Sequence, residues 1–335
     1  MKIASEPGLQ DELIATRWPA LAGLAGLAPE GAEERVLSSR CDEGGLRVVM
    51  RLNLPGGSSV ILKHDGREAA GDFPGAIEAQ RMARLRLQGN LLGLRVPGIL
   101  AELPDRRTVL MELAPGQPAH ELMELAGDNH ARRAILTACG RWLSGFHRAG
   151  RTTMRPYRTR FALDYLAERR GRLPRGGPKE EGGALLMRLF DAVQASAADY
   201  DGRPARNAQQ HGNFTMGQVV IGADTVAAVG FRPERTGPVG HDVTRFLVDY
   251  ITLFGDHRKI AEGRLLSSGD EAAFFRGYDI AGGQDAAIGF LVGVQLIHEW
   301  LRLPTDPDHR GLVHSLRLAG LRETAMRLFP DLRAG

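Results

Sequence analysis

The pattern of apolar and polar positions divides the chain into a strand-rich first third and a largely helical remainder. In the first third, short runs enriched in β-branched residues alternate with turns that contain Gly, Pro or Asp, which is typical of an antiparallel sheet. A Leu- and Ala-rich helix over residues 9–28 precedes these runs, and apolar positions on one face predict a second helix over Gly75–Gln88. The predicted strands are Arg35–Cys41, Leu46–Leu54, Ser59–Lys63, Val96–Leu103 and Thr108–Leu113.

Proline and glycine mark the end of this region, and helical spacing takes over after it. The segment Ala114-Pro115-Gly116-Gln117-Pro118 predicts a hinge. Apolar residues between Ile135 and Phe146 then recur at helical spacing, and this helix is expected to end at Gly150. Residues 171–183 combine glycine, proline and charge, which is typical of an exposed loop. We therefore expect an α+β protein with an antiparallel-sheet N-lobe over residues 1–113, a hinge over 114–118 and a mostly helical C-lobe over 119–335.

Composition limits the functional classes that are open to the chain. Of its 335 residues, 43% are hydrophobic and 25% are charged, which is ordinary for a globular protein, and the net charge is only +3. Basic and acidic residues are interspersed, so no nucleic-acid partner is expected. Two cysteines exclude a disulfide framework. Because no apolar run is long enough to span a bilayer and no secretory signal is recognised, the sequence predicts a cytoplasmic protein without membrane contact.

The segment HGNFTMGQVVIGADTVAAVGFR, which begins at His211, carries the most specific pattern of the chain. Two short apolar strands follow its opening His-Gly pair, at Val219–Ile221 and Val226–Val229. The Gly-Ala-Asp triplet between the strands has turn chemistry and predicts a hairpin. Asp242 comes shortly after this segment and precedes a predicted helix over Thr244–Phe254.

This frame resembles the catalytic region of the aminoglycoside phosphotransferase and choline kinase-like family, whose members are relatives of protein kinases. The resemblance implies a two-lobed protein-kinase-like fold, whose N-lobe has the order three strands, one helix, two strands. The family frame is His-Gly-Asp, then Asn five residues after the Asp, then a strand-end Asp before Phe. Asn213, Gln218 and Gly230 occupy these three positions here. The resemblance also implies structural roles for His211 and for Asp242, which is expected to brace the His-Gly loop.

The same resemblance implies a nucleotide site on the N-lobe, with ATP as the cofactor. In the kinase template, a strand Lys that is paired with a helix Glu holds the phosphates. Lys63 and Glu78 match these two positions, and Glu68 is a rival partner for the lysine. The backbone of Met111-Glu112-Leu113-Ala114 is expected to form hydrogen bonds with the adenine edge.

The substituted positions change the chemistry that the loop can support. The amide of Asn213 cannot accept a proton at neutral pH, and loss of a general base costs roughly 10²–10⁴ in rate. Gln218 offers only a carbonyl oxygen and Gly230 offers no side chain, whereas Mg²⁺ prefers hard oxygen ligands that usually include carboxylates. The sequence therefore argues against firm binding of Mg²⁺.

Two compensations for the missing carboxylates stay open. Glu234 or Asp224 could supply an oxygen ligand to the metal from a nearby position. Alternatively, Arg232 or Arg235 could replace the charge of the metal and hold phosphate directly. The simpler interpretation of the two arginines is a pair of solvated side chains in a loop.

Three functional hypotheses follow. The preferred one is a pseudokinase with a binding or regulatory role, whose phosphoryl transfer is lost or impaired. The second is an active ATP-dependent phosphotransferase with displaced metal ligands, acting on an alcohol group of a small molecule. The third is an interaction scaffold that binds no nucleotide. The sequence identifies neither a small-molecule nor a protein partner, although an Arg-rich stretch between residues 155 and 172 favours an anionic substrate or a partner surface.

Overall fold

The computed structural model describes residues 7–42, 45–66, 73–90, 92–104, 107–174, 182–304 and 311–333. The chain divides into two compact units. Unit 1 comprises Met1–Gly116 and Gly222–Glu234, and unit 2 comprises Gln117–Ile221 and Arg235–Gly335. Unit 1 is rich in strands and unit 2 is rich in helices, so the predicted two-lobed, kinase-like α+β fold is confirmed.

The described elements cover most of both units. The helices are α1 Pro7–Leu24, α2 Phe73–Leu87, α3 Ala119–Leu125, α4 Asn129–Ala149, α5 Arg160–Gly171, α6 Gly183–Ala195, α7 Gly240–Phe254, α8 Ser268–Gly277, α9 Ala286–Trp300 and α10 Leu312–Leu328. The strands are β1 Glu33–Asp42, β2 Gly45–Asn53, β3 Ser59–Asp65, β4 Leu94–Arg95, β5 Ile99–Leu103, β6 Thr108–Glu112, β7 Gln117–Pro118, β8 Thr153–Pro156, β9 Pro204–Gln210, β10 Val219–Ile221, β11 Val226–Ala228 and β12 Arg235–Pro238. Among the described helices, none is long and apolar enough to cross a membrane.

Unit 1 is built on an antiparallel sheet with the strand order β1-β2-β3-β6-β5. Side chains alternate between the two faces of this sheet. On one face Leu62 packs in a cluster with Trp18 of α1, and on the other Ile61 packs in a cluster with Ile77 of α2. Both faces are therefore covered by a helix, and by alternation Lys63 lies on the α2 face, two positions along β3 from Ile61.

The predicted strand Val96–Leu103 is wrong over its first three residues. Pairing with β6 begins at Ile99, and β4 is a separate short strand that pairs in parallel with β11. Pro97 has no N–H to give to a sheet, and its carbonyl accepts a hydrogen bond from Gln80 Nε2 at 2.9 Å instead. Through the β4–β11 pairing, residues 222–234 join unit 1, although the sequence-based boundaries had assigned them to the C-lobe.

Unit 2 contains a small sheet that the sequence pattern did not predict. Strands β8, β9 and β12 form it in the antiparallel order β12-β9-β8. Helix α9 supplies much of the core of this unit, and residues of α6 and α10 pack in the same cluster. The loop predicted over residues 171–183 lies between the end of α5 and the start of α6, and its residues 175–181 are outside the described ranges.

Helix α4 follows the predicted apolar stripe and ends before Gly150, as expected. The Asp128 carboxylate caps its first turn by accepting a hydrogen bond from the Ala131 N–H at 2.8 Å. Cys139 lies in the middle of the helix and is fully buried. Burial raises the pKa of its thiol far above the ordinary value, so the side chain stays protonated and unreactive in the folded protein.

Helices α4 and α8 approach each other through two glycines. A Cβ atom added at Gly140 would lie 2.4 Å from the carbonyl oxygen of Phe274, and one added at Gly277 would lie 2.1 Å from that of Thr137. The two backbones are therefore in direct contact, and a methyl group at either position would force the helices apart. This contact sets the distance between α4 and the segment that follows α8.

Candidate functional site

The His-Gly loop of unit 2 begins directly after β9 and turns at Gly212, whose φ of 77° favours glycine. One carboxylate, that of Asp242 in the first turn of α7, holds the loop. The N–H groups of His211 and Gly212 donate to its two oxygens at 2.7 and 2.8 Å. The N–H of Asn213 then lies 3.3 Å from His211 Nδ1, so hydrogen bonds hold the backbone as far as Asn213.

Asp242 is completely buried and accepts a third hydrogen bond, from His147 Nε2 at 3.1 Å. Burial by itself would raise the pKa of Asp242. The hydrogen bond from His147, electrostatic interaction with His147 and His211, and the His211 N–H outweigh burial and lower this pKa below its ordinary value. His147 Nδ1 lies 2.9 Å from the Tyr278 hydroxyl, so this contact fixes the ring whose other nitrogen bonds the Asp242 carboxylate.

Aromatic rings surround the bonded loop. Trp142 stacks between Phe146 and Phe214, with ring centroids at 5.3 and 5.5 Å. The His211 ring meets Trp142 edge-on, with the centroids 5.9 Å apart. These rings exclude water from the hydrogen bonds of Asp242, and hydrogen bonds in such a low-dielectric environment are stronger than in water.

A second aspartate on α7 holds the segment that follows the loop. Asp249 Oδ2 accepts a hydrogen bond from the Met216 N–H at 3.0 Å, at the start of the short 3₁₀ turn that ends at Gln218. Arg317 Nη2 donates to the other oxygen of Asp249 at 2.8 Å. Asp242 and Asp249 are seven residues apart, which is about two helical turns, so they share one face of α7. Sequence reasoning missed Asp249, although this spacing of two aspartates in an apolar helix was a usable signal.

The residues considered as replacements for the missing ligands lie in different surroundings. Glu234 accepts a hydrogen bond from Arg86 Nη2 at 2.9 Å within unit 1. Asp224 is exposed in the turn before β11. Of the two arginines, Arg232 belongs to unit 1, whereas Arg235 opens β12 in unit 2.

The residues present do not fit a magnesium ion. Asn213 and Gln218 offer amide oxygens, and Gly230 has a φ of 77° and no side chain. Within the part of the chain that the structure describes, no three His, Cys, Asp or Glu side chains are grouped so that they could hold a metal. A hard cation that favours carboxylate oxygens has no such set of ligands here, so no step of a mechanism is assigned to it.

The predicted pair of Lys63 and Glu78 is not formed. Lys63 is half-buried on β3. The Glu78 side chain is 61% exposed, because it follows the buried Ile77 on the outer side of α2, and its ion pair is with Arg81 at 3.9 Å. The rival partner Glu68 lies outside the described residues.

Glu112 uses its side chain as well as its backbone at the end of β6. Its carboxylate accepts two hydrogen bonds from Arg84, at 2.5 and 3.1 Å, and a third from the Gly98 N–H at 2.9 Å. The hydrogen bond from Arg84, more than the one from Gly98, holds the pKa of Glu112 below its usual value although partial burial opposes it. The same bond raises the pKa of Arg84. This bidentate pair fixes the end of α2 to the strand that enters the hinge.

A cavity of about 630 Å³ lies beside this pair within unit 1. Three of the four residues predicted to meet adenine, Glu112, Leu113 and Ala114, line it, whereas Met111 packs in the core against α2. Its volume is that of a small-molecule site, and most of its lining is apolar. The remaining lining residues are Arg84, Leu85, Leu87, Gln88, Gly89, Leu94, Arg95, Val96, Pro97, Pro115, Thr225 and Ala227.

The Arg-rich stretch around α5 is largely neutralised by its own surface. Four of its arginines have carboxylate partners: Arg158 with Asp201 at 3.7 Å, Arg160 with Asp164 at 3.6 Å, Arg170 with Asp191 at 2.6 Å, and Arg172 with Glu168. Arg169 is different, because its guanidinium lies over the ring of Tyr165, 5.1 Å from the ring centroid. The stretch as a whole is therefore not a strongly basic surface.

Comparison with known proteins establishes the fold. No family model and no curated protein matches the chain. A choline/ethanolamine kinase family protein from Mesorhizobium loti matches with a TM-score of 0.62 at 15% identity, over 98% of this chain and 100% of the other. Amicoumacin kinase hAmiN, solved with AMP-PNP and Ca²⁺, matches with a TM-score of 0.55 at 13% identity, over 92% of each chain.

A third solved structure has the same fold. A glucosamine kinase, solved with glucosamine, ADP and phosphate, matches with a TM-score of 0.54 at 16% identity, over 98% of this chain and 87% of the other. Matches at such low identity concern the fold and not the activity. The fold of the choline kinase-like and aminoglycoside phosphotransferase-like proteins, which the sequence resemblance implied, is thereby confirmed.

Proposed function

We propose that the protein is a pseudokinase, in which the kinase-like phosphotransferase fold binds a nucleotide while phosphoryl transfer is lost or severely impaired. The observation that carries the proposal is a contrast within one loop. Asp242 still bonds the backbone of His211 and Gly212, so the loop keeps its support. The side chain that this support presents is the amide of Asn213, which cannot act as a base.

The chemistry of phosphoryl transfer makes this contrast informative. Such enzymes work by positioning the reactants and neutralising developing charge, and the metal ions do much of the neutralising. Loss of the base alone costs roughly 10²–10⁴ in rate. Gln218 and Gly230 add the loss of metal ligands to this cost. A protein selected for turnover would not be expected to combine all three substitutions on an intact scaffold.

Nucleotide binding is the part of the function that the proposal retains. Lys63 provides a fixed positive charge on the α2 face of the sheet, where the kinase template places the lysine that contacts phosphate. Two of the fold neighbours were solved with AMP-PNP or ADP, which makes ATP the natural candidate ligand. Because magnesium ligands are missing, we expect this binding to need no divalent cation.

A phosphotransfer assay tests the proposal directly. With ATP, Mg²⁺ and a panel of amino sugars and amino alcohols, we expect the wild type to show no turnover above the buffer rate. The triple variant Asn213→Asp, Gln218→Asn, Gly230→Asp should gain Mg²⁺-dependent ATP turnover, since aspartate is among the residues that tolerate the positive φ at position 230. Wild-type turnover in the ordinary kinase range of about 1–100 s⁻¹ would refute the proposal.

Thermal shift measurements with ATP separate binding from chemistry. A ligand at 100 times its Kd stabilises the folded state by about 2.7 kcal/mol, which is easily measured. We expect stabilisation by ATP in the presence of EDTA, and its loss in Lys63→Gln. An unchanged Tm under all conditions would instead favour the scaffold that binds no nucleotide.

The second candidate function is an active small-molecule kinase with displaced metal ligands. It is favoured by the match, over nearly the whole chain, to an amicoumacin kinase and a glucosamine kinase. This candidate predicts Mg²⁺-dependent transfer to an alcohol group that is abolished in Glu234→Ala or Asp224→Ala. Glu262→Ala, which removes an exposed carboxylate of unit 2, is the matched control. Equal rates in all three variants would exclude these two displaced ligands.

A further inference from the structure

The cavity beside the Arg84–Glu112 pair, with a volume of about 630 Å³, is enclosed by four segments of unit 1. They are the end of α2, residues 94–97, residues 113–115 at the hinge, and Thr225 and Ala227 around the start of β11. Leu87, Leu94 and Val96 give the cavity a buried apolar wall. Its volume and lining are therefore those of a site for a small organic molecule.

Hydrogen bonds within the protein fix the walls of this cavity. The Asn90 side chain donates to the carbonyls of Leu87 and Leu94 at 2.5 and 2.7 Å, and it accepts from the Leu94 N–H at 3.0 Å. On the neighbouring stretch, Gln80 Nε2 donates to the Pro97 carbonyl at 2.9 Å. The cavity is therefore preformed, and a ligand would enter it without the free-energy cost of ordering its walls.

The Arg84–Glu112 pair is a polar part of the wall in which the charges are already matched. Arg84 Nη1 and Nη2 donate to the two oxygens of Glu112 at 2.5 and 3.1 Å, and the Gly98 N–H donates to one of these oxygens at 2.9 Å. Gly98 also lies directly against the guanidinium, since a Cβ atom added there would overlap Arg84 Nη1. An anion would have to displace Glu112 from the guanidinium edge. An aromatic ring, in contrast, stacks on the guanidinium face and leaves these hydrogen bonds in place.

The cavity is distinct from the position that the kinase template gives to the phosphates. Ile61 and Met111 pack on the α2 face of the sheet, and Lys63 lies on that face by alternation. Glu112 follows Met111 on β6, so its side chain leaves the strand on the opposite side. Of these described residues, Glu112 lines the cavity, whereas Lys63 and Met111 do not. A nucleotide held by Lys63 would therefore leave the cavity open to a second ligand.

We propose that this cavity is a second ligand site, which binds an uncharged aromatic molecule through its apolar wall and the guanidinium face of Arg84. The proposal goes beyond the proposed function, because it requires neither a nucleotide nor phosphoryl transfer. Leu113 and Ala114 border the cavity, and their backbone is also expected to meet adenine. A ligand in the cavity would therefore fix the hinge backbone and change the affinity for ATP by a limited factor without excluding ATP.

Fluorescence titration of the full-length protein at pH 7 tests the proposal. The probe is N-phenyl-1-naphthylamine, an uncharged aromatic amine whose emission rises in apolar surroundings, and we expect it to bind saturably. The matched anionic probe, anilinonaphthalene sulfonate, carries a sulfonate on the same ring system. We expect it to bind about ten-fold more weakly at constant ionic strength, because its charge would be partly buried without a partner.

Three variants locate the binding. Gln88→Trp places a large ring at the exposed rim of the cavity and should weaken the Kd of the uncharged probe about ten-fold or more, because it fills apolar space that the probe needs. Arg84→Lys keeps the charge but removes the planar face, so we expect a loss of about three-fold. Ala15→Trp adds the same ring at an exposed position of α1 that does not line the cavity, and it should leave the Kd unchanged. If Gln88→Trp fails to fold by circular dichroism, Arg84→Lys decides.

Four outcomes would overturn the proposal. The first is no saturable binding of the uncharged probe, and the second is equal or tighter binding of the sulfonated probe. The third is a Kd that neither Gln88→Trp nor Arg84→Lys changes, or that Gln88→Trp and Ala15→Trp weaken equally. The fourth is a Kd that rises in proportion to the ATP concentration without limit, which would make the cavity part of the nucleotide site.

The ATP dependence also separates this proposal from the pseudokinase proposal. At ATP concentrations that saturate the shift in Tm, a probe Kd that is unchanged or that reaches a plateau supports a separate site. The titrations without ATP decide whether the cavity binds an aromatic molecule even if ATP produces no shift in Tm. A failure of nucleotide binding is therefore distinct from a failure of the cavity to bind its ligand.

Discussion

Asp242 in unit 2 and Glu78 in unit 1 are two carboxylates to which the kinase resemblance gives a bracing role, and their surroundings differ sharply. Asp242 is fully buried, with hydrogen bonds from two backbone N–H groups and from His147. Glu78 is largely exposed and pairs with Arg81 within its own helix. A buried carboxylate requires these partners, because an unsatisfied buried charge is very costly, whereas an exposed one can exchange partners at little cost. A sequence motif is thus a firm guide to the first kind of contact and a weak guide to the second.

The largest effect expected from this comparison is that of Asp242→Ala. The change leaves two N–H groups and His147 without their acceptor inside the aromatic surround, so we expect the free energy of unfolding to fall by about 3–5 kcal/mol. Urea denaturation followed by circular dichroism measures it. Asp164→Ala, at an exposed carboxylate that pairs with Arg160, is the control and should change little. A loss below about 1 kcal/mol for Asp242→Ala would mean that the loop does not depend on this carboxylate.

The support behind Asp242 can be disturbed without touching any polar group. In Gly277→Ala the new methyl group would meet the backbone of α4, and separation of the two helices would shift Tyr278, the partner of His147. We expect a loss of about 1–3 kcal/mol in unfolding free energy, as for other overpacked interiors. Gly282→Ala, at a glycine with open space around its Cβ position, should be close to neutral. Equal stability of the two variants would argue against a tight α4–α8 contact.

Acid should weaken the hydrogen bonds that hold the His-Gly loop, because it protonates the Asp242 carboxylate. Because the folded state lowers the pKa of Asp242, its ionised form stabilises the fold above the ordinary aspartate value of about 3.9. This stabilisation is lost as the pH falls through the lower folded-state value. We therefore expect the wild type to exceed Asp242→Asn by a constant margin between about pH 5 and 7, and by a shrinking margin below about pH 4. A margin that grows on acidification, measured by urea denaturation at each pH, would contradict the assignment.

The smallest losses of unfolding free energy are expected for two glutamates of unit 1, Glu112 and Glu78. Glu112→Ala removes a bidentate pair with Arg84 and a bond to the Gly98 N–H, so we expect a loss of about 1 kcal/mol, limited by solvent screening. Glu78→Ala removes only an exposed i, i+3 pair, so a change within about 0.5 kcal/mol is expected. Chemical denaturation of the two variants in parallel is the measurement. A larger loss of unfolding free energy for Glu78→Ala than for Glu112→Ala would support the predicted pairing of Glu78 with Lys63.

The parts of the fold that sequence predicted well are those where burial imposes a period. Strand β2 alternates its buried positions and helix α4 repeats its apolar positions at helical spacing, and the structure has both where the pattern predicted them. Strand β9 was missed because its sequence, PARNAQQ, contains neither β-branched residues nor an apolar alternation. It is a strand because β8 and β12 pair with it on both sides, and such non-local pairing leaves little trace in the local sequence.

The candidate site shows the same limit at the level of side chains. The His-Gly loop and Asp242 were found from the motif, since both belong to a fixed backbone arrangement. Asp249 and His147 were not assigned their partners, because their partners come from segments 33 and 95 residues away. The pairing of Glu112 with Arg84 likewise depends on where α2 ends relative to β6, which a strand pattern does not specify.

Cys139 gives unit 2 a built-in reporter. Its thiol sits inside α4, where neither reagent nor hydroxide can reach it while the helix stays packed. Alkylation of this cysteine, identified by peptide mass, can therefore proceed only in molecules whose interior has transiently opened. The rate of alkylation measures how often the helices behind the His-Gly loop open to solvent. A ligand that stabilises unit 2 would therefore slow the alkylation.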